Sequence, residues 1–230
     1  MEMERRGFFG KTAAWAAGIA VALRAARGWA KGLPSDPGEA KAGAADTIAL
    51  PGFDKNVAFT LDQALAARKS SRSYDPGQAL TPAELSRLTW AMTGVNREDG
   101  KRTTPSALAK YPVDVYVALP EGVYAYEPAK HELKKVSAEN LREQTPIQGD
   151  FKKAGALMLY VINKSRLEGE DNPWSDLEIG CMVQNVYLEA AGLGLGSCVF
   201  ALVKKEAVAK ALGLKSNQLF RIAQAVGHTK

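Results

Sequence analysis

The chain has 230 residues, 46% of them hydrophobic, enough for one domain with a sizeable core. Its formal net charge of +5 is concentrated at the start: residues 1–30 hold five Lys/Arg against two Asp/Glu, leaving 25 against 23, or +2, for the remainder. That remainder has no basic footprint for nucleic acid, and the two Cys and two His fall at no spacing that suits a metal.

Arg5-Arg6-Gly7-Phe8-Phe9-Gly10-Lys11 is a twin-arginine pattern ahead of a mildly apolar stretch from Thr12 to Leu23 and a small-x-small sequence, Gly28-Trp29-Ala30. The stretch is too short and too rich in alanine for a membrane span. Residues 1–30 therefore read as a twin-arginine signal that exports a folded protein to the periplasm or another extracytoplasmic compartment, with an uncleaved membrane anchor as the alternative. Residues 31–46, rich in Gly, Pro, Ala and charge, read as a flexible tether. Residues 47–230 read as a single domain.

The spacing of Leu61, Ala64 and Leu65 predicts a helix over about 60–69. Thr81-Pro82-Ala83-Glu84 supplies the N-cap, first-turn proline and third-position glutamate of a capping box, opening a helix to about Met92. Gly94 to Thr104 is a polar loop, and strands follow near 113–119 and 123–127. Ser137 to Gln144 predicts a helix and Ile147 to Ala154 a second short one. Leu157 to Ile162 is a continuous apolar run suited to a buried strand. Asn172-Pro173-Trp174-Ser175 opens a long helix through Leu193, apolar on most faces and so destined for a core or a subunit interface. A strand from Ser197 to Val203, a helix from Lys205 to Leu212 stopped by Gly213, and a strand from Phe220 to Val226 complete the chain. This order describes an α+β domain with a mixed, mainly antiparallel sheet flanked by helices. Cys181 and Cys198 read as free, buried thiols, and His131 and His228 as surface residues outside any cluster.

Arg68-Lys69-Ser70-Ser71-Arg72-Ser73-Tyr74 lies between the first predicted helix and a turn, Asp75-Pro76-Gly77. Two guanidiniums with a hydroxyl between them suit an anion such as a phosphate, which arginine holds through bidentate charge-assisted bonds. A solvated helix end with its usual basic residues is the simpler alternative.

Two further segments extend the pattern. Arg102-Thr103-Thr104-Pro105-Ser106-Ala107 runs into Tyr111-Pro112 and a strand, and Gly180 to Ser197 ends in Gly192-Leu193-Gly194-Leu195-Gly196-Ser197. In this order the three segments resemble the FMN-dependent nitroreductase family, and most closely its SagB-type branch; Leu50-Pro51 and Gly122-Val123-Tyr124-Ala125-Tyr126-Glu127-Pro128 are similar to that branch as well. The resemblance spans roughly residues 47–230. It implies an intertwined homodimer with FMN at the subunit interface.

The resemblance implies a cofactor site made of Arg68, Lys69, Ser70 and Arg72 at the phosphate or the polar edge of the ring, with Pro105, Ser106 and Ala107 beside the flavin. It adds the backbone around Ser197 and Cys198 near the ring, and Lys230 where many members carry further basic residues after the last strand. Ala109 stands where many members have Asn, which removes one ring contact. The implied activity is two-electron transfer between a donor such as NAD(P)H and a small organic acceptor such as a nitroaromatic or a quinone. No protein acid–base group is required, because the flavin is the redox centre. Dehydrogenation of azoline rings in a modified peptide, and flavin binding without turnover, are the alternatives.

Overall fold

The computed structural model describes residues 46–55, 59–147, 149–167 and 173–230. The twin-arginine segment and the tether up to residue 45 lie outside the described residues. Seven strands form one sheet in the order β1-β4-β3-β2-β5-β7-β6, each neighbouring pair antiparallel. They are β1 (Thr47–Ala49), β2 (Val113–Leu119), β3 (Gly122–Glu127), β4 (Glu132–Ser137), β5 (Ala156–Asn163), β6 (Gly196–Phe200) and β7 (Gln218–Gly227). Among the described residues the one parallel pairing is a bridge between Ser70, which lies outside the named strands, and Ser197 of β6.

The continuous apolar run of β5 is explained by its central place. Successive side chains of a strand point to opposite faces. Ala156, Met158, Tyr160 and Ile162 enter one core, and Leu157, Leu159 and Val161 the other. The first core is closed by Leu85, Leu88 and Met92 of α2 (Pro82–Thr93) and by Met182 and Val186 of α4 (Trp174–Gly192). Against the second lie Leu141 of the single-turn α3 (Leu141–Gln144), Phe151 of a 3-10 turn (Gly149–Lys153) and Val208 of α5 (Lys205–Leu212). Phe151 stacks on Phe200 of β6 with centroids 4.2 Å apart. No helix among the described residues is long and apolar enough to cross a membrane.

Local chemistry sets the helix ends. In α1 (Leu61–Ala67) the Thr60 hydroxyl accepts the Gln63 amide while the Gln63 side chain accepts the Thr60 amide. Thr81 and Glu84 make the same reciprocal pair at the start of α2. Each N-cap contributes about 1 kcal/mol. Gly213, at φ 59°, ends α5 in the left-handed conformation that glycine adopts without penalty.

Three features differ from the sequence reading. β1 and β4 are additional strands, and the predicted helix over Ser137–Gln144 is the end of β4 followed by the one turn of α3. Within Glu132-Leu133-Lys134-Lys135-Val136-Ser137 only Leu133 is buried, so the segment shows no hydrophobic alternation; pairing with β3 and β1 makes it a strand. Helix α4 is buried through Ile179, Met182, Val186 and Ala190, yet its first turns leave Trp174 57% and Leu177 60% exposed.

Both histidines leave the surface expected of them. His228 contacts Glu84 at 3.4 Å. His131 joins three segments that are distant in sequence. The Ser86 hydroxyl donates to the Pro51 carbonyl at 2.6 Å, so its oxygen accepts from His131 Nε2 at 2.7 Å. Nδ1 then carries the lone pair and accepts the Tyr126 hydroxyl at 2.9 Å. Burial, and after it the charge of Lys55, hold the His131 pKa below its usual value. The neutral ring is therefore the one that fits.

A group whose folded pKa is depressed keeps its full contribution above the unfolded value, near 6.5 for histidine, and loses it as pH falls through the window below. The thermal midpoint of the wild type is expected to drop between about pH 7.5 and about pH 5.5. His131→Gln should flatten that dependence when the two melting series are compared. Parallel curves would remove His131 as the titrating group.

Candidate functional site

The segment Arg68–Arg72 leaves the end of α1 and lies along the edge of β6. The Ser71 amide donates to the Ser197 carbonyl at 2.8 Å, extending the sheet by one short parallel contact. Gly196 permits the approach: a Cβ there would sit 2.7 Å from Ser71 Cβ and would collide with the Thr229 methyl. The segment between β7 and Lys230 therefore passes the same spot.

Tyr187 of α4 fastens the segment from below. Its hydroxyl oxygen accepts the Val199 amide of β6 at 2.8 Å and lies 3.2 Å from Ser70 Oγ. A phenol this buried needs an acceptor for its own proton, and Ser70 Oγ is the one at hand. The Ser70 proton is then turned away from the protein, on an exposed side chain. The Arg68 guanidinium lies 5.5 Å from the Tyr187 ring centroid. Neither Arg68 nor Arg72 has a carboxylate at ion-pair distance among the described residues. Lys69 is exposed.

Behind the edge runs a buried polar network. The Tyr160 hydroxyl donates to Gln224 Oε1 at 2.7 Å, and Gln224 Nε2 donates to Ser197 Oγ at 2.9 Å and to the Val183 carbonyl at 3.2 Å. The Ser197 hydroxyl thus turns inward, and Ser197 is 2% exposed. The Cys198 thiol enters the second core, also almost fully buried. Both residues present backbone rather than side chains at the edge. Lys230 is exposed, and its charge helps to hold the Asp150 carboxyl below the usual range, after a stronger bond from Lys153.

The second group of residues sits at the C-terminal end of α2. Helices end with unpaired carbonyls. Here Thr103 Oγ1 donates to the Trp90 carbonyl at 3.2 Å and Thr104 Oγ1 to the Met92 carbonyl at 2.7 Å. Asn185 of α4 donates to the Ala91 carbonyl at 3.0 Å and to Thr104 Oγ1 at 3.2 Å. Pro105 and Ala107 then project as an exposed ledge, with Ser106 half-buried and its hydroxyl accepting the Tyr111 amide at 2.8 Å. Leu108, Ala109 and Tyr111 all have φ between 45° and 53°. Left-handed backbone at three non-glycine positions in four residues is strain of the kind that collects at functional sites.

The structure thus places Arg68, Ser70, Arg72 and Ser197 on one stretch of sheet edge, and Pro105, Ser106 and Ala107 on a ledge held by the opposite side of α4. Asn185 and Tyr187, two residues apart, project about 200° from one another around the helix. Tyr187, Asn185 and Gln224 were not singled out from sequence. The signal for the two on α4 was available: a polar residue in an apolar helical stripe needs a buried partner.

Residues 65–228 match the model of the nitroreductase family. A nitroreductase-family protein of Methanocaldococcus jannaschii is 32% identical over 164 residues, which cover 65% of this chain and 81% of that one. A nitroreductase-like protein of Ralstonia eutropha, known from its crystal structure, superposes with a TM-score of 0.73 at 32% identity, covering 81% of this chain and 90% of that one. A further protein, from Desulfovibrio desulfuricans and solved in complex with FMN, has the same fold at 20% identity and a TM-score of 0.54, over 75% of this chain and 88% of that one. The seven-stranded sheet with its flanking helices and these matches together place the chain in the nitroreductase family, as a flavin-dependent oxidoreductase.

Proposed function

We propose that the chain holds FMN at the Arg68–Arg72 segment and moves two electrons from a donor such as NAD(P)H to a small organic acceptor such as a nitroaromatic or a quinone. The observation that carries this reading is a pair of guanidiniums that form no ion pair among the described residues, flanking the exposed Ser70 hydroxyl. That donor set fits a phosphate, which carries close to two negative charges and several strong acceptors. The D. desulfuricans relative, with its bound FMN, supports the same assignment. When bound, FMN supplies the two-electron chemistry. The chain's own residues bind and orient: Arg68 and Arg72 neutralise charge, Ser70 donates a directed hydrogen bond, and the Pro105–Ala107 ledge covers one side of the cofactor with small side chains that keep water out.

A flavin touching both the edge segment and the ledge would take them from two copies of the chain, since the two lie on different sides of α4. This supports a homodimer, as do the exposed Trp174 and Leu177 at the start of that helix. Light scattering on the full chain should give twice the monomer mass; a monomer that binds one FMN would contradict the dimer. The order of Arg102–Ala107 and Tyr111-Pro112 supports placement in the SagB-type branch.

Titration of FMN into apo-protein tests the site. Arg72→Ala should weaken binding by about tenfold to hundredfold, since a hydrogen bond to a charged group contributes roughly 1.5–3 kcal/mol. Tyr187→Phe should weaken binding and also lower stability by about 1–3 kcal/mol, because the Val199 amide loses its acceptor. Unchanged dissociation constants in both variants would remove the cofactor from this segment.

Export is proposed on the pattern Arg5-Arg6 with Phe8-Phe9 and Lys11. Outside the cytoplasm NAD(P)H is scarce, so another electron donor would serve there. Replacing both arginines by lysine preserves charge but should retain the flavin-loaded protein inside the cell. Fractionation followed by flavin fluorescence reads the outcome, and equal export of both forms would exclude the twin-arginine route.

A further inference from the structure

A second cleft, distinct from the Arg68–Arg72 segment, opens beside Arg102 and the strained residues that follow it. Its volume is about 280 Å³, and Thr93, Arg102, Tyr111, Val113, Tyr126 and Arg166 are among the residues that line it. The size is close to the lower limit for small-molecule pockets.

The charges around it are unequal. Arg102, Lys110 and Arg166 face two carboxylates, Asp114 and Glu127. Arg166 is committed: its Nη1 lies 2.8 Å from Asp114 and donates to the Tyr111 carbonyl at 2.9 Å. Arg102 is not. Its guanidinium stacks over the Tyr111 ring at 4.3 Å and has no carboxylate at ion-pair distance among the described residues. Stacking occupies the face of the guanidinium and leaves its N–H edge for a ligand. Burial pulls the Arg102 pKa down, while Tyr111, Glu178 and Tyr126 favour its charged form and Arg166 opposes it.

Two buried polar atoms nearby lack partners. Thr93 Oγ1, on a residue that lines the cleft and is 1% exposed, makes no hydrogen bond, and neither does Glu178 Oε1. Glu178 forms no ion pair with Arg102, and its burial favours the neutral carboxyl. A buried hydroxyl without a partner is destabilising, and a ligand that supplies the missing acceptor relieves it.

We propose that this cleft binds a small organic monocarboxylate, its oxygens on the free edge of Arg102 and on the unpaired Thr93 hydroxyl, and its body against Pro128 and the ring of Tyr111. One negative charge matches Arg102, which forms no ion pair among the described residues. A phosphate dianion would leave a charge uncompensated beside Asp114 and Glu127. Most of the surface that faces the cleft is polar, and the half-buried ring of Tyr111 supplies the flat wall on which a body such as a benzene ring can lie. The cleft adjoins the Pro105–Ala107 ledge but shares no lining residue with it or with the Arg68–Arg72 segment, so the proposal does not rest on the flavin reading.

Benzoate is the probe. Its binding to the full chain is followed by calorimetry at constant ionic strength, with inorganic phosphate as the competing arm. Saturable one-to-one binding is expected, weakened about tenfold or more by Arg102→Gln. Thr93→Val should weaken it several-fold while leaving the melting temperature of the ligand-free protein equal or higher, because an unsatisfied hydroxyl has been removed. Arg72→Ala should leave benzoate affinity unchanged. Equal affinity in wild type and Arg102→Gln, or no saturable binding, overturns the proposal. Displacement of bound benzoate by inorganic phosphate at a lower concentration than benzoate itself requires, in Arg72→Ala as in the wild type, overturns the monocarboxylate assignment. Should Arg102→Gln fail to fold, Thr93→Val decides alone: unaltered benzoate affinity counts against the cleft.

Discussion

The contact between Ser71 and Ser197 governs the arrangement of the rest. It is one backbone hydrogen bond of 2.8 Å, and by itself contributes only about 1 kcal/mol. Its importance is geometric. It converts a basic stretch after a short helix into an extension of the sheet, with Arg68 and Arg72 spaced along an ordered backbone. Everything around it serves that placement. Gly196 removes a side chain that would block it, Tyr187 bonds the preceding residue, Ser70, and Gln224 anchors Ser197 from the core. The network Tyr160–Gln224–Ser197 ties this edge to the central strand, so the cationic segment rests on the most deeply buried part of the molecule.

Helix α4 performs a second kind of organisation. Several of its polar residues tie it to other elements: Glu189 to Arg87 and Asn185 to the end of α2, Asp176 to Arg221 of β7, and Tyr187 to β6 and the basic segment. A long apolar helix would otherwise be free to slide or rotate on the sheet. These bonds fix its register because each unsatisfied group would cost more than a typical hydrogen bond contributes.

Much of this architecture was legible in the sequence, for reasons that are local. Thr81-Pro82-Ala83-Glu84 carries its own capping geometry, Gly213 its own stop, and the apolar run of β5 its own burial. Strand β4 was not legible, since its charged residues alternate with nothing and its pairing comes from β3 and β1. His131 does stand in the turn between β3 and β4, as its setting indicated; what could not be read there was its pair of bonds, because Ser86 lies 45 residues away on α2. The arginines of the candidate site were visible as a motif; the tyrosine that directs the serine between them was not. Its function depends on Val199 and Ser70, which lie on opposite sides of it in the chain, 12 and 117 residues away.

The way the sheet ends has a consequence for how copies of the chain meet. A strand edge with bare amides and carbonyls is a template for another chain's backbone. At one end β1 offers just three residues. At the other, β6 is occupied by Ser70–Ser71, and the Val199 amide is capped by a phenol. Among the described residues one border is only three residues long and the other is already occupied, so strand-by-strand association into fibres finds little edge to start from. Contact between copies is directed instead to side-chain surfaces such as the exposed start of α4, where shape complementarity, and not backbone pairing, limits the number of partners.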